Sequence, residues 1–240
     1  MSRRFDAVVF DLFGTLVPEF SRSDFFASVR AAADVLGVDR EAFERGWTET
    51  AHGRQTGAYP GGVGENVRAI VAALGGERPD DDVLAAATAT RTALYDRWFS
   101  PREGALEILR ELRAKGYPIA LVSMCAPDTP ERWRSSEMAP LVDAAIFSSE
   151  TGLRKPDPAI YLAATEALGV EPGRCLYCGD GAYGELTGAT RVGMTAVLIR
   201  PLDLDVEEAL TPEPEEDWRG PKIGDLRELL GLLEPTVEPS

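Results

Sequence analysis

The stretch Asp6-Ala7-Val8-Val9-Phe10-Asp11-Leu12-Phe13-Gly14-Thr15-Leu16 decides how this chain is read. Ala7 to Phe10 are apolar, largely β-branched or aromatic, and the run stops within a few residues at an acidic group followed by Gly14. That is the pattern of a strand buried on both faces of a parallel sheet and followed by a turn. Asp11 then stands at the carboxyl end of a central strand, where open α/β sheets place their ligand crevice. A lone charge is too costly to bury. Asp11 therefore needs a cation, a set of backbone N–H donors or a chemical role, unless it is simply an acidic turn residue.

Beyond Thr15 the rhythm turns helical. Ser21-Arg22-Ser23-Asp24 offers N-caps for a helix with Phe25, Phe26, Val29, Ala32 and Ala33 on its apolar face, closed by Gly37. A second helix is predicted from Glu41 to His52, ending at Gly53, and a polar, glycine-rich loop from Gly53 to Gly62. A third runs from Glu65 to Leu74, and a fourth follows Pro79-Asp80-Asp81-Asp82 to about Trp98. No alternation interrupts residues 16–98, so this block reads as an all-helical insertion.

From Pro101 strands and helices alternate. Helices are predicted at Gly104 to Lys115, Thr129 to Met138, Pro158 to Leu168 and Glu185 to Arg191. The strands fall at Tyr117 to Ser123, Ala144 to Phe147, Cys175 to Gly179 and Met194 to Ile199. This alternation implies a doubly wound parallel sheet in an α/β fold. The expected organisation is a core of residues 1–15 and 99–240 with residues 16–98 as an inserted helical domain. The acidic segment 211–221 reads as a solvated loop, Asp225 to Leu233 as a last helix, and 234–240 as a loose tail.

Composition narrows the partners. The 240 residues are 44% hydrophobic and 27% charged, as in ordinary globular proteins. A net charge of -15 repels nucleic acid and anionic membranes, while a local positive site still admits a small anion. No apolar run approaches the roughly 20 residues of a membrane helix. Asp6 and Asp11 interrupt any signal-peptide core after the basic start. The expected setting is cytoplasmic and the expected partner a small-molecule substrate; the sequence leaves the oligomeric state open. Cys175 and Cys178 are three apart in a strand and so face opposite ways, which speaks for inert buried thiols over a redox pair.

Four strand ends carry polar residues: Asp11 with Gly14-Thr15, then Ser123, then Gly152-Leu153-Arg154-Lys155-Pro156-Asp157-Pro158, and finally Gly179-Asp180-Gly181-Ala182-Tyr183-Gly184-Glu185. In a parallel sheet these ends converge on one crevice. In order and spacing they resemble the four motifs of the haloacid dehalogenase-like hydrolase superfamily, with residues 16–98 where that family carries a helical cap. The resemblance implies a Rossmann-like core and a hydrolase. Asp11 would be the nucleophile, with Lys155 neutralising it and binding the transferring anion. The Ser123 hydroxyl and the Leu12 and Phe13 N–H groups would hold that anion. Asp11, Asp180 and Glu185, with the Phe13 carbonyl, would form a hard oxygen site suited to Mg²⁺. Outside such a set, Ser123 and Lys155 would read as solvated strand-end residues, Asp180 as a turn residue and Glu185 as a helix-start charge.

One position departs from the pattern. Phosphatases of the superfamily usually carry a second aspartate two residues after the nucleophile, as acid and base; here it is Phe13. The Asp-x-Phe-Gly-Thr form resembles the metal-independent 2-haloacid dehalogenases, whose halide leaves without a proton. Against that, those enzymes lack the acidic Gly-Asp-Gly pattern, and their serine is commonly followed by Asn where this chain has Met124. The phosphonate-cleaving branch needs a cap lysine, and the only lysines are Lys115, Lys155 and Lys222. The favoured expectation is a Mg²⁺-dependent phosphohydrolase of a small phosphate ester, working through an aspartyl-phosphate at Asp11. The alternatives are a dehalogenase forming an Asp11 ester, and a non-catalytic phosphate-binding or interaction module. Cap residues His52, Arg54 and Tyr59 are candidates to reach the site. Arg54 suits substrate recognition as a fixed cation beside a glycine-rich loop, and His52 reads first as a solvated helix-end residue.

Overall fold

β1 (Ala7–Phe10) is buried along its whole length, because an apolar run with no polar face is satisfied only between two layers. The computed structural model describes residues 3–200, 210, 215 and 217–233, apart from the side chains of 94–97. The expected loop at 211–221 falls in part, and the expected tail at 234–240 wholly, outside the described residues.

After β1 come α1 (Arg22–Leu36), α2 (Arg40–Glu49), α3 (Ala51–Gln55), α4 (Gly62–Ala73) and α5 (Asp81–Trp98). α6 (Ala105–Ala114) leads into β2 (Ile119–Ser123), and α7 (Thr129–Arg134) into β3 (Ala144–Phe147). α8 (Ser148–Thr151) and α9 (Pro158–Leu168) precede β4 (Cys175–Gly179), and α10 (Glu185–Arg191) precedes β5 (Thr195–Ile199). β6 (Lys222–Ile223) and α11 (Leu229–Leu233) follow. The strands pair in the order β3-β2-β1-β4-β5-β6, every pair parallel. This is the doubly wound α/β architecture that the alternation predicts, with a helical insertion after β1. Among the described residues no helix is long and apolar enough to cross a membrane.

Alternate strand residues feed two hydrophobic layers. Val8, Phe10, Ile119, Leu121, Leu176 and Val197 pack on one face, and Ala7, Val9, Ala120, Val122, Tyr177 and Leu198 on the other. Cys175 and Cys178 fall in opposite layers, both as free thiols, as their spacing requires. The inserted helices keep a cluster of their own around Val29, Phe43, Trp47, Val67 and Ile70. The order in which strands are added reverses between β1 and β4. Register pairs Phe10 with Cys178, and the Asp11 N–H donates to the Cys178 carbonyl at 2.9 Å. The residues just past these two strands are therefore forced together at the mouth of the crevice.

α1 begins and ends as its caps dictate: the Ser21 side chain accepts from the Asp24 N–H, and Gly37 closes the helix at φ 66°. The second helix differs from expectation. It breaks at Thr50, whose hydroxyl donates back to the Gly46 carbonyl at 2.7 Å. Arg54, one turn on, folds back onto the Trp47 carbonyl and the Thr50 hydroxyl. Gly53 thus lies inside α3 instead of ending a helix, and the loop before α4 is shorter than expected. The helix begun at Thr129 stops at Arg134 rather than Met138. The short α8 and the two-residue β6 carry too little periodicity to be read from sequence. One acidic residue of the expected solvated loop has a partner: Glu215 accepts from the Leu186 N–H at 2.8 Å, at the start of α10.

Leu121, fully buried in β2, tests the packing. Leu121→Ala is expected to cost about 2–5 kcal/mol, measured as a lower denaturation midpoint at unchanged m-value. A loss under about 0.5 kcal/mol would mean that this layer is not tightly packed.

Candidate active site

Asp11 follows β1 and Asp180 follows β4, so the parallel register brings two carboxylates to one place. Gly14 makes room for Asp180. Its φ of +75° suits glycine, and a Cβ there would come within 2.3 Å of Asp180 Oδ2. Gly179 does the same for Glu185, whose Oε1 would lie 2.0 Å from an added Cβ. Glu185 opens α10, and its carboxylate turns back beneath the strand ends. Oxygens of Asp11, Asp180 and Glu185 all lie within 4.8 Å of one another, and all three residues are buried.

Lys155, from the loop before α9, enters this group from the other side and is only 1% exposed. Its Nζ donates to Asp11 Oδ1 and, at 2.6 Å, to Glu185 Oε2. Glu185 is held at both oxygens. Oε2 also accepts from the Tyr177 hydroxyl at 2.6 Å, and Oε1 accepts from the Gly181 N–H at 2.9 Å. Asp180 Oδ1 accepts from the Ala182 N–H at 2.9 Å.

Electrostatics follow from burial. Removal from water pushes the Asp11 carboxyl up to about 7; Lys155 opposes the shift and Glu185 adds to it. Burial likewise raises Asp180 well above the usual carboxylate range, with Glu185, Asp11 and Glu19 adding to it. For Lys155, burial favours the neutral amine, yet Asp11 and Glu185 outweigh it and hold the ammonium charged. Three negative charges against one positive leave a formal excess of two. Hard oxygen donors in that charge state fit a divalent cation such as Mg²⁺.

Above Asp11 lies a cavity of about 390 Å³. Its walls combine Phe13 and Phe20 with Phe25, Trp47, Arg54 and Arg91 from the inserted helices. Phe13 stacks against Phe20 with centroids 4.7 Å apart. Arg54 is buried, donates to Asn66 Oδ1 at 2.8 Å, and lies over the Trp47 ring at 4.0 Å. Arg91 lies over the Phe25 ring at 4.3 Å. Tyr183, in the left-handed region at φ 57°, joins the wall and accepts from Gln55 Nε2 of α3 at 3.2 Å.

The structure thus brings Asp11, Asp180, Glu185 and Lys155 together. Phe13 and Arg54 line the cavity beside them. The Leu12 N–H bonds towards the Asp11 carboxylate. Ser123, at the end of β2, is fully buried, and its hydroxyl meets no hydrogen-bond partner among the described residues. His52 is exposed and meets Arg154 through Nδ1 at 3.2 Å, and neither His52 nor Tyr59 lines the cavity. Sequence reasoning missed Glu19, Arg91, Tyr177 and Tyr183. No motif marks Glu19 or Arg91, Tyr183 lies within the stretch Gly179 to Glu185 without a role attached to it, and the Tyr177 side chain falls within an apolar strand run.

A family model described as haloacid dehalogenase-like hydrolase matches residues 5–193. Glyceraldehyde 3-phosphate phosphatase of Methanopyrus kandleri is 28% identical over 159 residues, which span 66% of this chain and 67% of that protein. Two further curated relatives are matched over 46% and 43% of their length. (S)-2-haloacid dehalogenase 4A of Burkholderia cepacia is 26% identical over 96% of each chain. Among solved structures, the HAD phosphatase from Thermococcus onnurineus superposes with a TM-score of 0.61 at 21% identity, covering 95% of this chain and 97% of that one.

Burial of Asp11 yields a signed expectation. Its folded pKa, near 7, lies above the ordinary 3.8, so its contribution to stability is present below about pH 4 and lost as pH rises through 7. In EDTA, Asp11→Asn should gain stability relative to wild type across that window, by on the order of a few kcal/mol. Added Mg²⁺ should reverse the order. Parallel melting curves for the two proteins from pH 4 to 7 would rule this out.

Proposed function

The chain belongs to the haloacid dehalogenase-like hydrolases, and we propose that it is a Mg²⁺-dependent phosphohydrolase of small phosphate esters. The observation that carries this reading is the group of buried carboxylates Asp11, Asp180 and Glu185, within 4.8 Å of one another and served by the Lys155 ammonium. A centre left in that charge state would be costly to keep folded. Asp11, Asp180 and Glu185, with the Phe13 carbonyl, would hold the metal. Mg²⁺ bound there would neutralise charge on the phosphoryl oxygens.

The rest of the reading concerns this chain's own side chains. Lys155 holds Asp11 in place and offers positive charge to the incoming anion. The Ser123 hydroxyl and the Leu12 and Phe13 N–H groups would bind the phosphoryl oxygens, which gives the orphaned Ser123 donor a partner. Asp11 would attack phosphorus, forming an aspartyl-phosphate that water then opens. Arg54 would recognise an anionic or polar part of the leaving group from the cavity wall. The partner is accordingly a small molecule, in a cytoplasmic setting.

A second reading rests on Phe13 and Phe20, which give the cavity an apolar wall in place of an acid, with Phe99 packed edge-on against Phe13. That wall suits a haloacid whose halide leaves unprotonated, with Asp11 forming an ester.

Release of phosphate from p-nitrophenyl phosphate with Mg²⁺ is expected, with loss of activity in EDTA. Asp11→Asn should lower kcat by roughly 10³-fold or more. Halide release from 2-chloropropionate in EDTA, with no phosphatase activity under any metal, would install the second reading instead.

A further inference from the structure

Expelling an alkoxide from phosphorus requires a proton on the leaving oxygen, and opening an acyl phosphate requires one to be taken from water. Phe13 does neither. The cavity wall itself contains the groups that could. Glu185 is locked by Lys155, Tyr177 and the Gly181 N–H. Arg54 and Arg91 release no proton near neutrality. Burial pushes the Cys125 thiol up to about 11 and raises the Tyr183 hydroxyl above its ordinary value.

Glu19 remains. It is 7% exposed and lines the same cavity as Asp11 and Phe13. A bridge between Phe13 and Val17 turns the chain back on itself, and the Phe20 ring then stacks on Phe13. The Phe20 N–H donates to Glu19 Oε1 at 2.9 Å, which fixes the carboxyl group beside the aromatic pair. Its charge is felt at Asp180 and Tyr183, so it belongs to the same electrostatic neighbourhood as the buried centre.

We propose that Glu19 carries the protons of the reaction, an assignment that rests on the phosphohydrolase reading. As Asp11 attacks phosphorus, the bond from phosphorus to the leaving oxygen breaks. The Glu19 carboxyl proton passes to that oxygen and the alcohol departs. In the second half, the Glu19 carboxylate takes a proton from water while the water oxygen attacks phosphorus. The bond from phosphorus to Asp11 breaks, inorganic phosphate leaves, and both carboxyl groups return to their starting states.

Leaving-group dependence tests this. Benzyl phosphate and p-nitrophenyl phosphate are similar in size, but only the first expels a strongly basic alkoxide. Glu19→Gln keeps an acceptor for the Phe20 N–H. With Mg²⁺ present it should lower benzyl phosphate turnover roughly 10²–10⁴-fold. With p-nitrophenyl phosphate it should retain a burst of about one nitrophenolate per enzyme, then turn over slowly for want of a base. Phe13→Asp in the Glu19→Gln background should recover part of the benzyl phosphate activity. Benzyl phosphate turnover within a few-fold of wild type overturns the proposal. So does equal loss on both esters with no burst, the outcome of a merely structural role. A wild-type protein inert towards both esters overturns the phosphohydrolase reading itself, whatever the variant does.

Discussion

One ammonium among three buried carboxylates is the constraint on which this centre depends. At the separations found, two carboxylates repel by roughly 3–4 kcal/mol at an effective dielectric near 20. Lys155 offsets part of that by donating to Asp11 and Glu185 together. The lysine is itself held charged by those neighbours, against a burial that favours its neutral form. Neither sign of charge is tolerable there without the other.

Much of the neighbourhood can be understood as support for that balance. Tyr177 is buried in β4 and spends its hydroxyl on Glu185, while the Tyr161 hydroxyl donates to the Glu185 carbonyl. Gly14 and Gly179 leave no side chain where Asp180 and Glu185 must approach. The sheet contributes register, since parallel pairing of β1 with β4 fixes how far Asp11 stands from Asp180. The inserted helices contribute the opposite wall, apolar and aromatic, with two buried arginines stacked on its rings.

The sequence was most legible where one requirement ruled a segment. The strand at Ala144 to Phe147 and the helix at Pro158 to Leu168 fall where periodicity and caps put them. α1 was readable because Ser21 and Gly37 mark its two ends. Reading weakened where side chains overrule the backbone pattern. The break at Thr50 depends on Arg54 reaching back to Trp47, a contact that no local propensity announces. β6 exists because β5 has a free edge to pair with, which is a property of the sheet and not of Lys222 and Ile223.

The same division runs through the site. Sequence by itself determined the doubly wound α/β plan, the helical insertion, and the polar strand ends of which Asp11, Lys155, Asp180 and Glu185 meet. It could do so because strand ends in a parallel sheet share one edge, so motif order stands in for position. Tertiary structure alone decided which other groups share that space: Glu19 and Arg91 in the cavity wall, Tyr177 beneath Glu185, and His52 outside. These placements depend on how helices pack across the crevice and on which groups burial deprives of water. Both arise from contacts between residues far apart in the chain, and neither leaves a periodic trace along it.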